Sequence, residues 1–345
     1  MNQHYQTRKP FLKTAMSVLF ILITCTTFSV SANESIILKA EQALNNNQHQ
    51  LSSKLYLQLS KNDKYKIIAY HGLAKVAFKS NDFKSAANYI EKALEMQANN
   101  SDLLFTAGRI AGKQAQNASI FTKLGYASDA RKYFTKALEI NPQHQDSLIG
   151  LIRFHQQAPV MAGGDKQLVA IYINKLRSLD NRSAFSIEAP ILLDKNDLTT
   201  VMKLYKQSLI SPSTKNIHQF KFDSAMLFSA YGHYQQALNE ILSIDMSNEQ
   251  ETSEFVHMRL YQLGKLTAET KTQLELGFKS MQQYSNLAAK DKTISEDWIK
   301  FRLAQISFLR GNSLDSKSKF LKLKSLTNDD SLKTKIQSVL NEIKG

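Results

Sequence analysis

Apolar positions spaced three and four apart run through most of this chain. Tyr70, Leu73, Ala74 and Ala77 keep that spacing, then Leu104, Ala107, Gly108 and Ala111, then Leu148, Leu151 and Ile152. Such spacing gathers each set on one face of a helix. Between them lie further segments of the same period: Ala86 to Leu94, Ala130 to Leu138, and Val169, Tyr172, Ile173 and Leu176. Asn81-Asp82, Pro142 and the stretch Pro159 to Asp165 interrupt the pattern where turns are expected, since proline cannot continue a helix and glycine permits tight reversals. Later, Val201, Leu204, Tyr205 and Leu209 follow Asp197-Leu198, and Tyr231-Gly232-His233 precedes Tyr234 to Leu238. Trp298, Phe301, Ala304 and Phe308 precede Arg310-Gly311-Asn312, and Phe320 and Leu323 continue the pattern. Leu332, Ile336, Val339, Leu340 and Ile343 predict an amphipathic helix that caps the last apolar face. Residues 33–66 are expected to supply an opening hairpin.

Two of these segments repeat one another. Asn81 to Met96 and Ala127 to Pro142 both carry Ala, then Tyr-Ile or Tyr-Phe, then Lys-Ala-Leu-Glu and an apolar residue. They resemble the second helix of the tetratricopeptide repeat, and the sets at Tyr70 and Leu104 resemble its first helix, where small residues let paired helices approach. The units run over about 67–100, 101–144 and 145–183. The middle one is ten residues long for the family, and the excess is placed near Ala115–Leu124, between its helices. The third carries an extra loop from Pro159 to Asp165. Residues 184–345 read as degenerate hairpins with the C-terminal capping helix. The resemblance implies an all-α fold: a right-handed superhelical stack of antiparallel helix hairpins, a TPR-like α-solenoid. Glycine (12) and proline (5) are scarce among 345 residues, which argues against a turn-rich β fold.

Residues 1–32 have another character. Arg8, Lys9 and Lys13 precede an apolar run from Ala15 to Ile23, and Val30-Ser31-Ala32 offers small residues before Asn33. That is the layout of a signal peptide, and it predicts an exported, periplasmic protein. Cys25, the only cysteine, follows Leu22-Ile23-Thr24 and gives the alternative of a lipoprotein anchored there. No later stretch is long enough to span a membrane. The net charge of +14 falls to +11 without residues 1–32. A basic surface suits an acidic peptide or weak contact with an anionic membrane surface; nucleic acid is not expected for an exported chain.

Catalytic chemistry finds no motif. Gly163-Gly164-Asp165-Lys166 lacks the spacing of a phosphate-binding loop, and no two histidines after residue 32 stand three or four apart on a helix. No cofactor, metal site or enzymatic activity is expected. Lys317, Lys319, Lys322 and Lys324 read as a solvated helix face.

The resemblance also implies a concave groove lined by fixed positions of each first helix. In this sequence those positions hold Lys75 and Lys79, Arg109 and Lys113, then Arg153 and Gln157, with His71 and Phe105 beside them. Members of each pair stand four apart and share a face. The expectation is a basic stripe that binds a peptide or acidic segment, Arg109 and Arg153 by paired hydrogen bonds and the lysines as point charges; a merely solvated basic face is the other reading. The asparagines of the family's carboxylate clamp are missing. The function expected is a protein-binding module or scaffold in the cell envelope, with a protein or peptide partner. The Pro159 to Gly164 segment is similar to one in TPR proteins that accompany TRAP-type solute transporters, which gives the alternative of an accessory subunit.

Overall fold

Short turns between amphipathic segments make antiparallel helix pairs, and these pairs account for the fold. The computed structural model describes residues 32–213, 216–247, 253–287 and 292–343. Residues 1–31, with most of the expected signal peptide and Cys25, lie outside them. Among the described residues there are seventeen α-helices, two short 3₁₀ turns and no strand. The fold is all-α, a TPR-like solenoid. The chain divides into two compact units, Met1–Ala93 and Leu94–Gly345.

In the first unit, α1 (Ala32–Asn45) pairs with α2 (His49–Leu59), and α3 (Lys66–Lys79) is followed by α4 (Phe83–Met96), which runs over the boundary. The turns after α1 and α3 place Asn47 and Asn81 at positive φ, a conformation asparagine tolerates better than most residues. Ala40, Leu44, Tyr56, Leu59, Ala69, Leu73 and Val76 form the core. Gly72 is needed there, because a Cβ would stand 2.3 Å from the Tyr56 ring.

The second unit continues as α5 (Ser101–Asn117) with α6 (Ile120–Ile140), α7 (Gln145–Gln157) with α8 (Lys166–Leu179), and α9 (Asn181–Leu193) with α10 (Leu198–Ile210). Then follow α11 (Ile217–Ala230) with α12 (Tyr234–Leu242), α13 (Glu254–Thr270) with α14 (Leu274–Ser285), α15 (Glu296–Leu309) with α16 (Ser313–Leu326), and the single helix α17 (Asp330–Glu342). Side-chain caps start many of these helices. Asn100, Asp165, Asp180, Asp197, Asn216, Ser253 and Asp329 each accept a backbone N–H of the first turn, which satisfies donors the helix itself cannot.

The ten extra residues expected between the helices of the second repeat, near Ala115–Leu124, lengthen those helices instead. Helix α5 has 17 residues and α6 has 21, against 14 each in α3 and α4, and only Ala118 and Ser119 separate them. Packing follows one device from hairpin to hairpin: a large side chain of one helix enters a gap left by small residues of its neighbours. Phe134 of α6 is the clearest case. A Cβ on Gly108 of α5 would stand 2.6 Å from its ring, and one on Gly150 of α7 would stand 2.8 Å away. One ring is thus held between two glycines on successive first helices. Buried clusters around Phe134, Phe228, Met281 and Phe320 carry the core from α5 to α17. Between α13 and α15, Arg302 donates from Nη1 to Glu269 at 2.8 Å, with only 4% of the arginine side chain exposed. The apolar face of α17, Leu332, Ile336, Val339 and Leu340, closes over Phe301 and Phe320.

Candidate functional site

In the first unit, His71, Lys75 and Lys79 lie four apart on α3, so they form one row along that helix. His71 and Lys75 are half-buried and Lys79 is exposed. Lys79 donates from Nζ to the Leu44 carbonyl at 3.2 Å. It therefore caps the C-terminal end of α1, a favourable place for a cation, and part of its charge serves the fold.

In the second unit, Phe105, Arg109 and Lys113 repeat that spacing on α5, and Arg153 stands on α7. The guanidinium carbon of Arg109 lies 5.6 Å from the centre of the Phe105 ring, within range of a cation–π contact. Phe105 also leans on Phe134 at 6.0 Å and on the His144 ring at 5.5 Å. Arg109 keeps an exposed edge, yet partial burial lowers its pKa; the Asp146 carboxylate opposes that shift and the positive charge of Arg153 adds to it. Arg109 of α5 and Arg153 and Asp146 of α7 are therefore close enough to feel one another's charge. Lys113 donates to Gln116 Oε1 on its own helix at 3.0 Å. Arg153 and Gln157 are exposed.

Three members of this cluster do not follow from the basic stripe. His144 Nε2 meets Asp102 Oδ1 at 3.0 Å, and His144 Nδ1 accepts the Ser147 N–H, so one imidazole ties α5 to the start of α7. Asp146 is the third. The available signal is spacing: Asp102 precedes Arg109, and Asp146 precedes Arg153, by the same seven residues, two helical turns. The face is therefore a mixed one, three cations beside two carboxylates, rather than a purely basic stripe. Side chains of these types are able to pair with carboxylates through planar guanidinium forks and to hold an apolar or cationic group on an aromatic ring.

The Pro159 to Asp165 segment is a built turn. Its 3₁₀ turn, Val160–Ala162, ends at Gly163 with φ of 85°, and a Cβ on Gly164 would fall 1.9 Å from the Ala158 carbonyl oxygen. The Asp165 N–H donates to His155 Nδ1 at 3.1 Å. His155 is buried and stacks on Tyr172. Among the described residues, no group of histidine, cysteine, aspartate or glutamate is placed to hold a metal ion, and no helix is long and apolar enough to cross a membrane.

Residues 67–100 and 117–144 match the tetratricopeptide repeat family. The chain carries tetratricopeptide repeats. The first match spans α3 and α4, and the second spans α6 with the turn after it. No curated protein sequence matches the chain. Among solved structures it is similar to the APC/C hetero-tetramer Cut9–Hcn1, with 10% identity over 90% of this chain and 56% of that one, at a TM-score of 0.46. It is also similar to PilW, a type IV pilus biogenesis factor, with 13% identity over 79% of this chain and 98% of that one, at 0.42. A tetratricopeptide repeat protein from Parabacteroides merdae shares 12% identity over 91% and 99% of the two chains, at 0.34. Proteins of this repeat class are in general non-catalytic scaffolds for protein partners, and the fold of this chain suggests an interaction scaffold.

Proposed function

We propose that this chain is a non-enzymatic binding module of the bacterial cell envelope, and that the face carrying Phe105, Arg109, Lys113 and Arg153 takes an acidic peptide segment. The row of Phe105, Arg109 and Lys113 on α5, with the Arg109 guanidinium against the Phe105 ring and Arg153 on the next first helix, α7, carries the reading. Planar guanidinium forks on successive first helices suit a ligand carboxylate, which each can meet with paired hydrogen bonds. The row of His71, Lys75 and Lys79 is proposed as a further contact for the same class of partner. Titrating fluorescently labelled acidic peptides against the full chain tests this. Arg109→Glu with Arg153→Glu lowers affinity by about tenfold or more, while Lys319→Glu, a charge reversal on α16, leaves it unchanged. Equal loss in both variants refutes the site.

Residues 1–32 are proposed to direct export, with cleavage after Ala32. N-terminal sequencing of the cell-envelope protein should begin at Asn33; a lipid-modified Cys25 would instead support anchoring. A second reading, an accessory subunit of a TRAP-type uptake system, rests on the Pro159 to Gly164 segment and its tight turn. Co-purification with a solute-binding protein would favour it.

A further inference from the structure

The α5–α6 hairpin is longer than its neighbours, and part of its excess is bare. Six consecutive residues near the start of α6, Phe121 to Tyr126, are all exposed, and Phe121 is 92% exposed. A phenylalanine left in water adds nothing to the stability of its helix. At the corresponding end of the next hairpin, Val160 and Met161 are 85% and 79% exposed. They are displayed by a stiff turn, because the Pro159 carbonyl accepts from both the Ala162 and the Gly164 N–H, and Gly164 has no room for a side chain. This turn lies against α6 at Arg131, whose guanidinium carbon would be 3.2 Å from a Cβ on Gly163. Ten helical residues separate Arg131 from Phe121, about 15 Å. Three apolar side chains therefore stand along the turn ends of two successive hairpins.

Cations accompany them. Lys113, Lys123, Lys132 and Lys166 are exposed in the same region, against Asp129 and Asp165. We propose that this edge is a lipid-docking surface: Phe121, Val160 and Met161 enter the headgroup region of an anionic bilayer while Lys113, Lys123 and Lys166 face its phosphates. Apolar tips flanked by lysines suit an anionic interface. A partner helix would need a continuous apolar groove, whereas these tips stand separately. A second copy would bring the same cations against one another. The proposal shares Lys113 with the peptide site and otherwise stands apart from it.

The test uses the full chain with Phe121→Trp, read as the difference from the parent protein, whose own Trp298 is constant. Because the probe sits at residue 121, binding through residues 1–32 does not register. On vesicles of phosphatidylcholine mixed with phosphatidylglycerol, its emission should shift to the blue, be quenched by brominated acyl chains, and revert as salt is raised. Adding Val160→Ser and Met161→Ser should lower vesicle affinity about tenfold or more. All three positions are largely exposed, so folding is preserved, as circular dichroism will verify. Unchanged emission on the mixed vesicles overturns the proposal. An equal shift on pure phosphatidylcholine overturns the anionic assignment, and a shift that grows with protein concentration without lipid overturns it in favour of self-association.

Discussion

The ring of Phe134 between Gly108 and Gly150 makes a sharp prediction, because two glycines of one helix should respond to the same substitution with opposite signs. In a helix interior, alanine is favoured over glycine by about 1 kcal/mol. At Gly112 nothing lies within 4 Å of the added Cβ, so Gly112→Ala should stabilise the protein by up to about 1 kcal/mol. At Gly108 the Cβ would fall 2.6 Å from the ring, closer than atoms tolerate. A free ring would swing away at little cost, but Gly150 blocks the other side at 2.8 Å. Overpacking of this kind costs about 1–3 kcal/mol. After the helix-propensity gain is deducted, Gly108→Ala should destabilise by up to roughly 2 kcal/mol. Urea unfolding followed by circular dichroism compares the two midpoints. Repeating Gly108→Ala in a Phe134→Leu background should remove the penalty, because the coupling belongs to that pair. If Gly108→Ala raises the midpoint as Gly112→Ala does, the ring is not confined and the packing account of this hairpin is wrong.

Other outcomes follow from the same structure. Arg302→Met strands the Glu269 carboxylate and should cost about 3–5 kcal/mol, whereas Arg302→Met with Glu269→Leu should recover most of the loss; thermal melts of both variants decide this. Gly164→Ala should destabilise the turn, because its Cβ collides with the Ala158 carbonyl, and hydrogen exchange should show the loss at Asp165 first. Burial lowers the pKa of His155; Asp165 opposes the shift and Arg131 adds to it. The unfolded chain therefore takes up this proton first as pH falls. The contribution of His155 is complete above the ordinary histidine value of about 6.5 and is lost as pH drops through the depressed folded value. Urea midpoints of His155→Phe should accordingly fall less between neutral and mildly acidic pH than those of the parent; an equal fall would refute it.

How much of this was legible depends on whether a helix buries anything. The hairpins around Leu73, Leu104 and Leu151 announced themselves because their small and large apolar residues recur at packing positions. The first part of α6 carries no such signal, for the opposite reason. Phe121 to Tyr126 cover no core, so no face is apolar and no period survives. Helices α13 and α14 escaped notice although they are well packed. Their contact surface includes buried His257, Gln262, Thr267 and Ser280, and a Cβ on Gly277 would strike the Thr267 hydroxyl at 1.8 Å, so polar and absent side chains blur the pattern. The arginines of the candidate site could be aligned by spacing alone. His144 could not, since its part in it depends on α7 lying beside α5, and Asp146 left only the seven-residue spacing it shares with Asp102.

Helix α17 has a consequence for how the molecule behaves in a crowd. Every apolar residue from Leu332 to Leu340 faces inward, and the residues left outside, Ser331, Thr334, Lys335, Ser338 and Asn341, are polar or charged. An outward face of that kind offers a neighbouring copy no apolar surface, so solvation rather than shape opposes association through this helix.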